Sequence, residues 1–151
     1  MKWKSAMIFG LFAIAGLGYT YWPSPDPMKK YQMVATPVPA DRQQDLNRLM
    51  KAVMEFCRDG QYQTLEKAFG ISPQERLICK ETEGADPVEA SLEVLRYHAS
   101  ELRWSDYEMN SYEKNPKQFE VNAKTRDGKK TLRFSFRAQG KAYRLLSIAE
   151  V

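Results

Sequence analysis

The feature that most constrains the fold is a change of hydrophobic period after residue 103, from helical spacing to alternation. Two alternating runs are separated by Asp127-Gly128. Such alternation predicts strands with one face on a core and the other in water. Asp-Gly favours a type I′ turn, which needs positive φ, so we expect a hairpin. The side chains expected to point inward are Phe119, Val121, Ala123, Thr125, Leu132, Phe134, Phe136 and Ala138.

Two further strands complete the predicted sheet. Gln139-Gly140 favours a turn into a last strand over Ala142–Glu150. Asn115-Pro116 separates the hairpin from a first strand over Arg103–Glu113. Because each strand follows its neighbour through a short connection, the expected sheet is a four-stranded antiparallel meander.

The last strand departs from simple alternation. Tyr143 and Leu145 belong to one face, whereas Leu146 and Ile148 put apolar side chains on the opposite face. Apolar groups on both faces predict that something covers the outer face near this strand.

Helix signals dominate the chain before the sheet. Asp41, Ser72 and Asp86 stand in cap positions, each followed by apolar residues at helical spacing or by proline in the first turn. The predicted helices span residues 41–60, 62–69, 72–79 and 86–102. Helices gathered on one side of an antiparallel sheet define an α+β domain.

The N-terminal segment has the composition of a membrane anchor. Lys2 and Lys4 precede the uncharged stretch Ser5–Trp22, whose 18 residues span about 27 Å as a helix, close to the hydrocarbon core. Residues 1–22 are therefore predicted as a transmembrane anchor, residues 23–40 as a proline-rich linker, and residues 41–151 as the α+β domain. Lys2 and Lys4 favour a cytoplasmic N-terminus, although Lys29 and Lys30 follow the span.

This orientation predicts a single-pass inner-membrane or plasma-membrane protein with an extracytoplasmic, periplasmic domain. Two alternatives stay open. Ala13-Ile14-Ala15 resembles a signal-peptidase site, and cleavage there would release a secreted domain. The segment is also compatible with a buried helix of a soluble fold.

The C-terminal half of the chain contains two consecutive segments of opposite net charge. Residues 81–113 have nine acids and two bases, a net charge of −7, whereas residues 115–151 have nine bases and three acids, a net charge of +6. Alternation predicts a group of bases on the outer, solvent-facing side of the sheet. We refer to this side as the outer face, and its predicted bases are Lys124, Arg126, Arg133, Arg137 and Arg144.

These bases have more than one interpretation. They are compatible with a solvated strand face that discourages edge pairing. As a functional surface, they suit an acidic protein partner, anionic lipid headgroups, or the acidic helices of a second copy in a homodimer. Nucleic acid is disfavoured, because Phe134 and Phe136 are expected to point into the core rather than stack on bases.

Side chains for catalysis or metal binding are few. One His and two Cys exclude a His/Cys metal cluster built from this chain alone, and no cofactor motif is present. His98, on the fourth predicted helix, has two interpretations: a structural or surface histidine, or a general base with Asp106 or Tyr107 nearby.

Cys57 and Cys79 form the single possible cysteine pair. In an exported domain an even pair favours a disulfide, while two separately buried thiols are the alternative.

The order of elements resembles the nuclear transport factor 2-like superfamily, the cystatin-like α+β roll. The resemblance rests on a helix, the turn Arg58-Asp59-Gly60-Gln61-Tyr62, further helices and a meander. It implies that the antiparallel meander after the helices is curved. Members include pocket enzymes, ligand binders and assembly modules, and the anchor-spacer-domain layout is similar to that of periplasmic domains of type IV secretion inner-membrane subunits.

Together, these features predict a membrane-tethered, non-catalytic interaction module of an envelope complex that docks through its basic outer face. The alternative is a small-molecule binder or pocket enzyme that uses the concave side of the sheet.

Overall fold

The computed structural model describes residues 35–151, which form an α+β domain with helices packed on one antiparallel sheet. The elements are β1 Ala35–Pro37, α1 Ala40–Arg58, α2 Tyr62–Glu66, α3 Pro73–Glu83, α4 Pro87–His98, a 3₁₀ turn Ala99–Glu101, β2 Leu102–Tyr112, β3 Asn115–Thr125, β4 Thr131–Gln139 and β5 Ala142–Glu150. The predicted fold class is confirmed for this part of the chain.

The predicted anchor lies outside the described residues. Among residues 35–151, no helix combines the length and the apolar composition that a membrane crossing requires.

The sheet has five strands in the order β1-β2-β3-β4-β5, so the prediction of four strands was wrong by one. The extra strand, β1, lies in the predicted linker and pairs antiparallel with the end of β2, with Thr36 opposite Ser111. The Thr36 and Ser111 hydroxyls lie 2.8 Å apart. A three-residue strand ending in proline leaves no alternation to detect, and proline is tolerated there because β1 is an edge strand.

The inner face of the sheet and one side of the helices form the core. Phe119, Val121, Phe134 and Phe136 are each at most 2% exposed, as the alternation predicted. The helices contribute apolar side chains to the same cluster: Leu46, Met50, Val53, Leu65, Val88, Leu92 and Leu95. Burying each large apolar side chain contributes roughly 1.5–3 kcal/mol, which makes this contact the main source of stability.

The hairpin between β3 and β4 is present, but its connection is longer than the predicted two-residue turn. The loop covers residues 126–130, and Gly128 has a φ of 73°. The Asp127 carboxylate accepts from the Thr125 hydroxyl at 2.6 Å and from the Lys129 amide at 3.0 Å. Asp127 therefore orders the loop through its side chain.

A β-bulge explains the mixed pattern of β5. Ser135 pairs with Ser147 and Phe136 pairs with Leu145, so Leu146 is an extra residue without a partner on β4. The bulge turns both Leu145 and Ile148 into the core, where they are 2% and 3% exposed. The expectation that Ile148 would face outward beneath a cover was therefore wrong.

The open side of β5 is covered by the chain after α2 and by α4. The Gly70 amide donates to the Leu145 carbonyl and the Leu145 amide donates to the Ala68 carbonyl, both at 2.9 Å. The Ile148 amide donates to the Ser91 hydroxyl at 3.0 Å. A Cβ at Gly70 would lie 2.7 Å from Cβ of Arg144, so this close approach requires glycine.

Two of the three predicted helix caps are present. Ser72 and Glu75 form a reciprocal capping box on α3, and Asp86 accepts from the Val88 amide at the start of α4. Asp41 is not a cap, because α1 begins one residue earlier with Pro39 in the cap position.

Arg76 of α3 connects three helices. Its guanidinium lies 2.7 Å from the Asp86 carboxylate and 3.1 Å from the Glu66 carboxylate of α2. The Arg76 hydrogen bonds lower the pKa of Asp86 below its ordinary value of 3.8, despite the opposing effect of burial. The lowered pKa means that this carboxylate stabilises the fold fully above that ordinary value, and that the stabilisation is lost as the pH falls through the folded-state pKa.

We predict that Asp86→Asn lowers the free energy of unfolding by about 1–3 kcal/mol near pH 7, because it removes a charge-assisted pair but keeps an oxygen that caps α4. Urea unfolding measured from about pH 7 to pH 3 should show the two proteins converging as the pH falls. Glu89→Gln, on the exposed first turn of α4, is the matched control and should have little effect. If the difference in the free energy of unfolding between Asp86→Asn and the parent protein did not change with pH, the lowered pKa of Asp86 would be contradicted.

Candidate docking face and neighbouring clefts

Strand register brings four of the five predicted bases together on the outer face. Arg137 of β4 lies directly opposite Arg144 of β5. Arg133 lies opposite Asn122 of β3, and Lys124 is the next outward residue along β3. Directly opposite residues share a face, as do residues two apart, so Lys124, Arg133, Arg137 and Arg144 form one surface.

Arg137 and Arg144 form a cross-strand pair of like charge. Both are exposed, and neither guanidinium has a hydrogen bond or an ion pair within residues 35–151. Like charges directly opposite one another destabilise a sheet, and pair effects of this kind are about 0.2–1 kcal/mol. The two arginines therefore add positive charge to the surface without a compensating carboxylate in the described domain.

Arg133 has a different environment. Its Nε lies 3.5 Å from Oε1 of Glu120 and 3.2 Å from Oδ1 of Asn122. Glu120 is only 7% exposed. Burial, together with a hydrogen bond to Glu120, raises the pKa of Tyr112 to about 12. Arg133 therefore compensates a buried carboxylate, and its charge is less available than that of Arg137.

Lys124 lies at the other end of the outer face. It lines a cleft of about 460 Å³ with Arg103, Arg133, Asp106 and Glu108. Both signs of charge are present in this cleft, so the uncompensated positive charge of the outer face is concentrated around Arg137 and Arg144.

Arg126 lies apart from the other four bases, contrary to the alternation pattern. β3 ends at Thr125, and the next backbone amide, that of Arg126, donates to the Glu101 carbonyl at 2.8 Å. The Arg126 side chain lines a cleft with Met54 and Trp104. Alternation holds only while the chain stays extended, and here the strand has ended.

His98 is 4% exposed and is held by Glu150. Its Nε2 lies 3.1 Å from Glu150 Oε1, and Lys130 Nζ lies 2.9 Å from Glu150 Oε2. Lys130 and His98 together lower the pKa of Glu150 below its ordinary value. Nδ1 of His98 has no partner within residues 35–151.

Of the three residues considered for a catalytic site, Asp106 and Tyr107 line the same two clefts, whereas His98 lines neither. Asp106 and Tyr107 line clefts beside β2, and the Tyr107 hydroxyl donates to Oδ1 of Asn47 at 2.6 Å. His98 lines none of the three clefts described in residues 35–151. The concave side of the sheet around Phe119 and Phe134 is filled by the core.

Metal ligands are not clustered in the described part of the chain: residues 35–151 contain no group of three His, Cys, Asp or Glu side chains suited to hold an ion.

Comparison with known proteins gives no assignment: the chain matches no family model, no curated protein and no solved structure.

A second group of bases was not predicted from the sequence. Arg58 and Arg96, in the last turns of α1 and α4, line the same cleft as Arg126. Basic residues in last helical turns are a common local pattern, and only the tertiary fold brings these three together.

Cys57 on α1 and Cys79 on α3 are free thiols in the structure, both partly buried. Burial raises the pKa of Cys57 to about 11, while a hydrogen bond with Tyr62 opposes this effect. The disulfide stays a prediction, and comparing intact mass before and after reduction tests it, since reduction adds two hydrogen atoms.

For the reduced protein we predict that iodoacetamide alkylates Cys57 in the folded state more slowly than in urea, by about 100-fold near pH 8. The expectation follows because only the thiolate reacts, and the pKa of Cys57 is raised from 9.0 to about 11. Mass spectrometry of peptides over time measures the rate, with Cys79→Ser used to isolate Cys57. Equal rates in the folded and unfolded states would contradict the raised pKa of Cys57 in the folded protein.

Proposed function

We propose that this chain is a membrane-tethered, non-catalytic interaction module that docks onto an acidic protein surface within an envelope complex. The observation that carries the proposal is the cross-strand pair Arg137–Arg144, exposed and without a carboxylate partner in residues 35–151. Lys124 and Arg133 extend the surface along the sheet.

The usual role of charged strand residues does not account for this pair. Charges on an edge strand commonly prevent pairing with other chains. The edge of β5 is already covered by the backbone at Gly70 and by Ser91. A pair of like charges that lowers stability without protecting an edge is better explained by binding, because carboxylates of a partner convert repulsion into charge-assisted hydrogen bonds.

Two arginines are suited to a protein partner in particular. Arginine binds carboxylates through two parallel hydrogen bonds, which gives orientation as well as attraction. Exposed acids on α3 and α4 also make a second copy of the chain a possible partner, and these are Glu81, Glu83, Glu89 and Glu93.

The tether is part of the proposal. A single span over residues 5–22, with the domain in the periplasm, would hold the basic face near the proteins of the same membrane. The resemblance to the nuclear transport factor 2-like superfamily supports an assembly role through its membrane-anchored members. The filled inner face of the sheet favours this function over a pocket enzyme.

The test is charge reversal at the pair. We expect Arg137→Glu with Arg144→Glu to abolish co-purification of the partner from detergent extracts of the native membrane, since each variant carboxylate repels an acidic surface. Arg133 is left intact, because a glutamate there would face the buried Glu120.

The matched control is Lys51→Glu with Lys67→Glu, which makes the same change of net charge on the helical layer. This control should retain the partner, and circular dichroism should show that both double variants are folded.

Arg137→Glu alone should raise the free energy of unfolding by about 0.2–1 kcal/mol, because the new carboxylate forms a cross-strand ion pair with Arg144. Retention of the partner by the Arg137/Arg144 double variant would refute the proposal. Sedimentation of the purified protein distinguishes a second copy of the chain from a different acidic partner.

A further inference from the structure

We propose a second binding site, for a phosphate monoester, in the cleft where α1 and α4 end. The cleft has a volume of about 450 Å³ and is lined by Arg58, Arg96 and Arg126, with Trp104 and Tyr62 as ring surfaces. Its size is within the range of small-molecule sites, roughly 300–1,000 Å³. This site is separate from the outer face and does not depend on the docking function.

The charge of the cleft favours an anion. No aspartate or glutamate is among its lining residues. The C-terminal ends of α1 and α4 each add a partial charge of only about −0.5 to the cleft. The positive charge of the three guanidinium groups outweighs it. The Arg58–Asp59 contact of 3.4 Å joins two side chains that are more than half exposed, so it offsets little of this charge.

The arginines are positioned by contacts that leave hydrogen-bond donors available. Arg96 stacks over the Tyr62 ring, with its guanidinium carbon 4.7 Å from the ring centre. The backbone of Arg126 is held on both sides: its amide donates to Glu101, and its carbonyl accepts from Nη2 of Arg103 at 2.7 Å. The guanidinium of Arg126 has no hydrogen bond or ion pair within residues 35–151.

The remaining lining groups suit a phosphate attached to an organic group. Ser100, a residue with a hydroxyl donor, is also among the lining residues. Trp104 donates its indole N–H to the Ala99 carbonyl at 3.0 Å, which fixes the ring as a wall beside Met54. Planar guanidinium groups match phosphate oxygens in pairs, and the apolar wall is suited to the esterified part.

Phosphate monoesters have two sources, a soluble metabolite or the headgroup of a lipid. Phenyl phosphate represents the first and dihexanoyl phosphatidic acid the second, and both probes are soluble. Isothermal titration calorimetry of the full chain in neutral detergent should show binding of at least one of them, and the tighter probe identifies the source.

Two neighbouring residues provide a matched pair of variants. Arg126→Gln lies in the cleft, whereas Lys124→Gln, two residues earlier, lies on the outer face and removes the same charge. We expect Arg126→Gln and Arg96→Gln each to weaken binding at least tenfold, and Lys124→Gln to change it less than about twofold. The folded state of each variant is checked by circular dichroism.

Two results would overturn the site. One is the absence of binding for both probes up to about 10 mM. The other is an equal loss with Lys124→Gln, which would show attraction by net charge alone. The Arg137/Arg144 double variant should still bind the phosphate monoester probes. A wrong proposal for this cleft is therefore distinguishable from a wrong proposal for the docking face.

Discussion

Packing of the inner sheet face against α1 and α4 is the contact on which the rest of the described domain depends. Phe119, Phe134 and Leu95 are nearly inaccessible, and the bulge in β5 adds Ile148 to the same core. In residues 35–151 the inner face of the sheet is therefore occupied by side chains of the core. The two sites proposed above lie elsewhere in residues 35–151: the outer face has Arg137 and Arg144, and the cleft at the ends of α1 and α4 has Arg96 and Arg126.

The two regions differ in how their charge is arranged. On the outer face, Arg137 and Arg144 come from neighbouring strands, so the spacing of the strands sets their separation. The two side chains therefore lie side by side on an open sheet surface. At the helix ends, Arg96 and Arg126 come from distant parts of the chain and converge on a cleft. A short stretch of β3 and its loop contributes Lys124 to one region and Arg126 to the other. The end of the strand at Thr125 separates them.

The sequence predicted what depends on local periodicity. Alternation around Phe119 and Phe134 identified two central strands and their buried face, and cap residues identified α3 and α4. Three-residue β1 and the bulge at Leu146 were missed, because each depends on pairing with a distant strand. The same limit applies to the two proposed sites. Alternation along the strands predicts the bases of the outer face, whereas only tertiary packing brings together Arg58, Arg96 and Arg126 in the cleft where α1 and α4 end.

The small strand β1 also has a mechanical consequence. It is the first element of the described chain and is joined to the sheet by three residue pairs on β2. Tension applied through the preceding residues would reach these pairs before it reached the aromatic core. Because the contact is short, β1 would detach under a load that leaves the other four strands intact. β1 is thus the strand held to the sheet by the fewest residue pairs, and it lies three strands away from the pair that positions Arg137 and Arg144.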